Sequence, residues 1–492
     1  MKKKIKCIWY SFLIIMLLLP SISASAETTF YTYTYDYWGD ERESPDAYVP
    51  SAVLMGIDFG IDNFREPQGL YVQGNKVYIC DSYNNRIVEL QKENGTYSLV
   101  RVIDKIIVEG EESTFLYPQD IFVTDLGEIY ICDTNNQRIL HLDSELKLIK
   151  MITKPQDETI DEASDFLPLK LVVDNVGRIF VQVLNVNKGL MEFSPDGSFS
   201  GYIGANKVSV SIVEYFWKLI STKAQRSQME LFVPTEYNNL ALDSHGFIYT
   251  TTSTFDEGDL VYGNANPVRR LNSMGTDILV RNGFFPPVGD LWWGNAGGVS
   301  GSSKFVDVVA LENDTYCAID RVRGRIFAYD FQGNLLYAYG GQGNKAGFFQ
   351  YPSAIEDIGD YILVLDYRSG TLTEMELTEY GRLINEGLME YKRGEYDLSA
   401  AKWEEVLKFN GNYDLAYIGI GRSLLRKGEY KKAMEYFELK MDDKNYSKAY
   451  QLYRKEQVED NIEYIFAFII ALIVVPIIVR SVKKIKRDVK RE

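Results

Sequence analysis

Two stretches of this 492-residue chain are near copies of one another, about fifty residues apart. Pro67-Gln68-Gly69-Leu70 leads to Val77-Tyr78-Ile79-Cys80-Asp81-Ser82-Tyr83-Asn84-Asn85-Arg86-Ile87. Pro118-Gln119-Asp120-Ile121 leads to Ile129-Tyr130-Ile131-Cys132-Asp133-Thr134-Asn135-Asn136-Gln137-Arg138-Ile139. A repeat of that length marks a unit that cannot bury its hydrophobic face alone and must stack on further copies. The alternating apolar residues and Gly turns make each copy a set of short antiparallel strands.

Looser copies follow. Pro168 to Val181, Pro234 to Tyr249, Phe305 to Ile326 and Pro352 to Asp366 repeat the order strand, turn, strand, which brings the count to six. Asp125-Leu126-Gly127, Asp196-Gly197 and Gln332-Gly333-Asn334 supply the positive-φ positions that tight hairpins need. Six four-stranded blades fill the roughly 350 residues available, so the expected fold is mainly β, a six-bladed β-propeller. The last unit has only three strands before helical sequence begins near Tyr380. A lone strand near Ala52 to Met55 is expected to complete it and leave the ring without an open edge. The alternating run Tyr31 to Tyr37 competes for that role.

The Pro-x-x-[Ile/Leu] start, the Ile-Tyr-Ile-x-Asp-x-x-Asn-x-Arg-Ile core and the Gly turns resemble the NHL repeat of six-bladed propellers. The segment from Phe30 to Gly39 also resembles the start of bacterial secreted NHL-repeat proteins of the gluconolactonase-like kind. The resemblance covers about residues 27–378, closely in blades one and two and less so in blades four and five.

From 379 to 458 the pattern turns helical. Gly387, Gly394 and Tyr396 recur as Gly421, Gly428 and Tyr430, and Trp403 answers Phe437, all at a spacing of thirty-four. This resembles the tetratricopeptide repeat, with Gly411 where that family usually has Pro. The resemblance implies peptide binding or a spacer.

The ends carry membrane signals. Residues 1–26, with Lys2, Lys3, Lys4 and Lys6, an apolar run and Ala24-Ser25-Ala26, read as a secretory signal peptide. No lipobox cysteine lies near the cleavage point. Residues 462–480 read as a transmembrane helix, and 481–492 as a basic cytoplasmic tail under the positive-inside rule. The expected location is the cell membrane, single-pass, with the intervening chain outside. The whole chain has 53 basic and 69 acidic residues. Removing eleven basic and two acidic residues at the ends shifts the net charge from −16 to about −25. Such a surface repels phosphate backbones, so nucleic acid is excluded as a partner. Cys80, Cys132 and Cys317 read as buried small apolar residues.

Catalytic signals are sparse. His141 and His245 are the only histidines, too few for a three-His zinc site. Asp81, Asp133, Asp320 and Asp366 occupy matching places in four blades. Converging on the axis they could hold calcium, but an Asp ahead of Asn-Asn more simply caps its turn, with Arg86, Arg138 and Arg325 as partners. No cofactor is expected; calcium belongs to the alternative of a gluconolactonase-like lactone hydrolase, which the resemblance raises. Two insertions break the repeat. About 208–231 has helical spacing with Phe216 and Trp217 as partner-binding candidates, and Trp292 and Trp293 stand in a Gly/Ser-rich loop as candidates for sugar stacking or partner anchoring. The expected function is a membrane-anchored binding scaffold. Its propeller would present a surface for a protein, peptide or carbohydrate, and its helical repeats would dock a membrane partner such as a transporter or envelope complex. A sugar-binding or adhesion module is the third reading.

Overall fold

The computed structural model describes residues 32–160, 163–205, 236–253, 255, 257–261, 263, 265–291 and 301–488. The expected signal peptide, the helical insertion with Phe216 and Trp217, and the loop with Trp292 and Trp293 lie outside them.

Six sheets form a closed ring. Blade one is Gly69–Gln73, Lys76–Asp81, Arg86–Glu93 and Thr96–Ile103; blade two is Pro118–Val123, Ile129–Asp133, Arg138–Leu142 and Leu148–Ile152. Blade three is Pro168–Val173, Ile179–Val183, Leu190–Phe193 and Phe199–Ile203, and blade four shows three strands, Asn239–Leu242, Ile248–Thr251 and Val268–Leu271. Blade five is Phe305–Ala310, Tyr316–Asp320, Arg325–Tyr329 and Leu335–Gly340; blade six is Pro352–Ile358, Tyr361–Asp366, Thr371–Leu377 and, last, the early strand Tyr48–Leu54. The first strand of each blade touches the first strands of its two neighbours, all the way round. Proline leads three of these strands, at the one position where a missing N–H breaks no ladder bond.

The clasp is therefore non-covalent. Tyr48–Leu54 pairs antiparallel with Thr371–Leu377, from Leu54 opposite Leu372 to Tyr48 opposite Leu377. It starts a few residues earlier than the sequence spacing indicates. Tyr33–Tyr35 lies elsewhere, on the outer edge of blade five beside Leu335–Gly340, with Glu41–Glu43 beyond it.

The repeated motif has one geometry. The Asp81 carboxylate accepts from Arg86 Nε at 2.7 Å, Asn84 Nδ2 at 2.8 Å and the Arg65 N–H at 2.7 Å. Asp133 does the same with Arg138 (2.7 Å), Asn136 (2.8 Å) and the Leu116 N–H (2.8 Å). Each carboxylate thus ties a strand end to the turn after it and to the segment entering its blade. Cys80, Cys132 and Cys317 are buried and unpaired.

Helices Glu379–Arg393, Tyr396–Phe409, Asp414–Lys427, Tyr430–Leu439 and Asp443–Asp460 follow, each packed on the next. A Cβ on Gly387 would meet the Trp403 ring at 3.0 Å, and one on Gly421 would meet Phe437 at 2.7 Å, so the thirty-four-residue repetition recurs as a packing contact. The layer packs on the propeller. Tyr380, Leu383, Trp403 and Tyr413 share one core with Tyr48, Tyr337 and Val364 of the propeller, and the Tyr413 hydroxyl donates to the Leu336 carbonyl at 2.8 Å. The final helix, Ile462–Asp488, contains a stretch long and apolar enough to cross a membrane.

Gly394 ends its helix at φ +85, and its Cβ position is open space. Gly394→Ala therefore tests backbone strain alone. The expected result is a loss of about 1 kcal/mol, read as a lower unfolding midpoint in urea.

Candidate functional site

The inner strands carry the ring axis, and side chains two apart on a strand share a face. The third residue from the leading Pro or Phe in blades one, two, three, five and six, and the matching Asn239 in blade four, form a floor that differs in every blade: Gly69, Asp120, Lys170, Asn239, Asp307 and Ala354. In blades two, three, five and six a β-bulge falls immediately before this position. Such a bulge re-aims the side chain that follows it. Two residues further along sit Tyr71, Phe122, Val172, Ala241, Val309 and Glu356, an apolar collar interrupted by one carboxyl. Thr124, Asp174 and Asp243 line the mouth. All of these except Gly69 and Ala354 line a cavity of about 770 Å³.

Hydrogen bonds fix the floor. Asp120 accepts from the Leu171 N–H of blade three at 2.9 Å and faces Lys170 Nζ at 3.3 Å. Asp307 accepts from the Ile355 N–H of blade six at 2.8 Å and from its neighbour Val308 N–H at 2.6 Å, and the Asn239 amide donates to it. Both aspartates thus bridge adjacent blades. Asn239 Oδ1 is buried and has no hydrogen-bond partner among the described residues.

Electrostatics follow from burial. Desolvation pushes Asp307 up to about 7 against the pull of Lys170. Glu356 is held well above the carboxylate range by burial first, then by Asp357, Asp307 and Asp120. Burial lifts Asp357 to about 6 and raises Asp120 despite Lys170. For Lys170 burial favours the neutral amine, but the fields of Asp120 and Asp307 outweigh it and its ammonium is stabilised. The floor carries one built-in cation, Lys170, among carboxyls that burial holds above their ordinary range.

These shifts have a sign. Between the ordinary carboxylate range and about pH 7, folded Asp307 holds a proton that the unfolded chain has released. Stability therefore falls as pH rises through this window, by up to about 1.4 kcal/mol per unit for this group. The urea midpoint is expected to be higher at pH 6 than at pH 8, and Asp307→Asn should flatten the difference.

The other candidates lie apart. Asp81, Asp133, Asp320 and Asp366 are absent from the cavity lining. Asp320 accepts from the Lys304 and Val322 N–H groups, and Asp366 from those of Gln350, Tyr351, Arg368 and Ser369. Among the described residues no three His, Cys, Asp or Glu side chains are grouped to hold a metal ion. His141 stacks on Tyr130 and meets Glu128 at 3.0 Å; His245 faces Asp314. Arg325 departs from Arg86 and Arg138: it pairs with Asp290 at 2.7 Å, and Arg323 stands beside Asp320 at 3.5 Å. The floor residues went unmarked in the sequence, though Asp120 and Lys170 occupy one place in their copies and differ in charge.

Residues 64–90 and 115–142 match the family model described as NHL repeat. Blades one and two are NHL repeats. No curated protein matches the chain. Among solved structures it is similar to virginiamycin B lyase from Staphylococcus aureus, at 13% identity and a TM-score of 0.40 over 66% of this chain and 99% of that one. A streptogramin B lyase matches at 12% identity and 0.39, over 71% and 98%. The RRP9 WD40 repeats match at 8% and 0.41, over 68% and 99%.

Proposed function

We propose that this chain is a membrane-anchored binding protein whose propeller lies outside the cytoplasm and takes a cationic, amine-bearing ligand or peptide segment into its axial mouth. The helical layer, read as tetratricopeptide repeats, would dock a membrane partner. One observation carries this reading: the axial floor is differentiated blade by blade and leaves acceptors without donors. Asn239 Oδ1 has no partner, and no hydrogen bond to the Glu356 side chain is found among the described residues. Asp120 and Asp307, which a divalent ion would need, are already engaged by backbone N–H groups and by Lys170. An ammonium group supplies the missing donors and suits an acidic, low-dielectric cleft. The apolar collar would hold the ligand's carbon skeleton. The apolar helix Ile462–Asp488 supports anchoring.

The test is affinity capture from detergent-solubilised membranes with the wild type and with Glu356→Gln. Recovery of an amine-bearing ligand or partner that the variant loses supports the proposal. Recovery of nothing, together with calcium-dependent lactone turnover by the purified protein, would replace it with the hydrolase reading.

A further inference from the structure

A second cavity, of about 600 Å³, lies between the propeller and the helical layer. Its lining is basic in a chain of net charge −16. Arg422 and Arg426 stand one turn apart on Asp414–Lys427, and Lys444 and Lys448 one turn apart on Asp443–Asp460; Arg281 reaches in from the propeller side. Like charges at i,i+4 repel; buried Asp330 lends Arg422 some compensation and Arg426 donates to the Tyr391 hydroxyl at 3.3 Å, and an anion in the trough relieves the remaining repulsion. Arg422, Lys444 and Lys448 make no ion pair or hydrogen bond among the described residues. The one acid in the lining, Asp442, is occupied as a helix cap, accepting from the Asn445 N–H at 3.1 Å and from Asn445 Nδ2 at 2.5 Å. Arg281 is already held by Asp277 at 2.8 Å, so it shapes the wall more than it adds free charge.

The rest of the lining selects among anions. The side-chain amides of Asn282 and Gln332 have no partner among the described residues and suit the N–H and C=O groups of an extended main chain. Phe284, 47% exposed, offers an apolar contact at the rim. We infer that this trough is a docking site for an acidic, extended peptide segment of a partner protein, its carboxylates on Arg422, Lys444 and Lys448 and an apolar side chain on Phe284. It is separate from the axial cavity and does not depend on what binds there.

The experiment uses full-length protein in detergent micelles and a fluorescein-labelled peptide of eight glutamates around one phenylalanine, read by anisotropy. Binding is expected for the wild type, at least tenfold weaker for Lys444→Glu/Lys448→Glu, and lost when glutamine replaces every glutamate. Lys444 and Lys448 are exposed, so an unchanged unfolding midpoint will show that the double variant is folded. Phe284→Ala should weaken the peptide severalfold and leave inorganic polyphosphate unaffected. Absence of wild-type binding, or equal binding by the double variant, overturns the inference. So does polyphosphate binding at least as tightly as the peptide with Phe284→Ala neutral for both, which would make the trough a general anion site.

Discussion

Glu374→Ala is expected to lower the unfolding free energy by about 3–5 kcal/mol, the range for removing one partner of a buried ion pair. Glu374 lies on Thr371–Leu377, the strand that the clasp strand pairs with, opposite Ala52. Its carboxylate receives Lys92 Nζ at 2.5 Å, the Tyr97 hydroxyl, and Ser51 Oγ at 2.7 Å. Three parts of the ring therefore meet on one side chain: blade one through Lys92 and Tyr97, blade six through Glu374, and the clasp through Ser51. Lys92 is 9% exposed at its side chain and lies over the Tyr361 ring at 3.2 Å. Little of its side chain reaches water, so its charge loses most of its compensation when the counter-ion is gone. Burial and the Glu374 contact also hold the Tyr97 hydroxyl far above its ordinary value, so it stays a donor. Glu374→Gln keeps an acceptor but not the charge and should lose less. Lys92→Met/Glu374→Leu should recover most of the loss, because no isolated charge remains. The measurement is urea unfolding of the wild type, Lys92→Met, Glu374→Leu and Lys92→Met/Glu374→Leu as a double-mutant cycle, with Glu374→Ala and Glu374→Gln alongside. A loss below about 1 kcal/mol for Glu374→Ala would show that backbone pairing alone holds the seam.

Legibility in the sequence followed repetition. The Asp-x-x-Asn-x-Arg motif could be read as a turn lock because Asp81 and Asp133 use the same kinds of partner in the two copies, and each partner lies within seventeen residues of its aspartate. Arg325 could not be read that way. Its partner Asp290 comes from the segment after blade four, and nothing local marks the pairing. Tyr33–Tyr35 and Tyr48–Leu54 both alternate as strands do, and only the ladder decides which closes the ring. The axial floor was hidden for the opposite reason. A search for what the blades share passes over Asp120, Lys170, Asn239 and Asp307, whose importance lies in how they differ. The docking of the helical layer was equally silent, since period and capping establish helices without saying that Trp403 and Tyr413 would join the propeller core.

Asp290→Ala is expected to cost a further 3–5 kcal/mol-sized loss of its own, about as large as that at Glu374 but at a different seam. Asp290 is 3% exposed. One carboxylate oxygen accepts from the Tyr33 hydroxyl at 2.7 Å and from Tyr35; the other receives Arg325 Nη1 at 2.7 Å, with Arg323 Nε at 3.6 Å. Its backbone N–H is taken by Ser303 Oγ at 3.0 Å, and the adjoining Gly289 N–H by the Tyr329 hydroxyl at 3.1 Å. A single carboxylate thus pins the N-terminal strand to the outer edge of blade five. Without it, Tyr33, Tyr35, Arg325 and Arg323 lose their shared acceptor, and the two guanidiniums lose a buried counter-ion. Tyr33 pairs with Ala338 alone across the ladder, so the backbone offers little to hold that strand in place. The consequence is local as well as global. In Asp290→Ala, trypsin should cut at the exposed Arg42 at least tenfold faster than in the wild type, while the blades remain intact. Asp290→Asn keeps acceptors for the tyrosines and should release the strand less. Unchanged cleavage at Arg42 in the alanine variant would mean that ring packing between Tyr35 and Phe285, rather than this carboxylate, holds the strand to the ring.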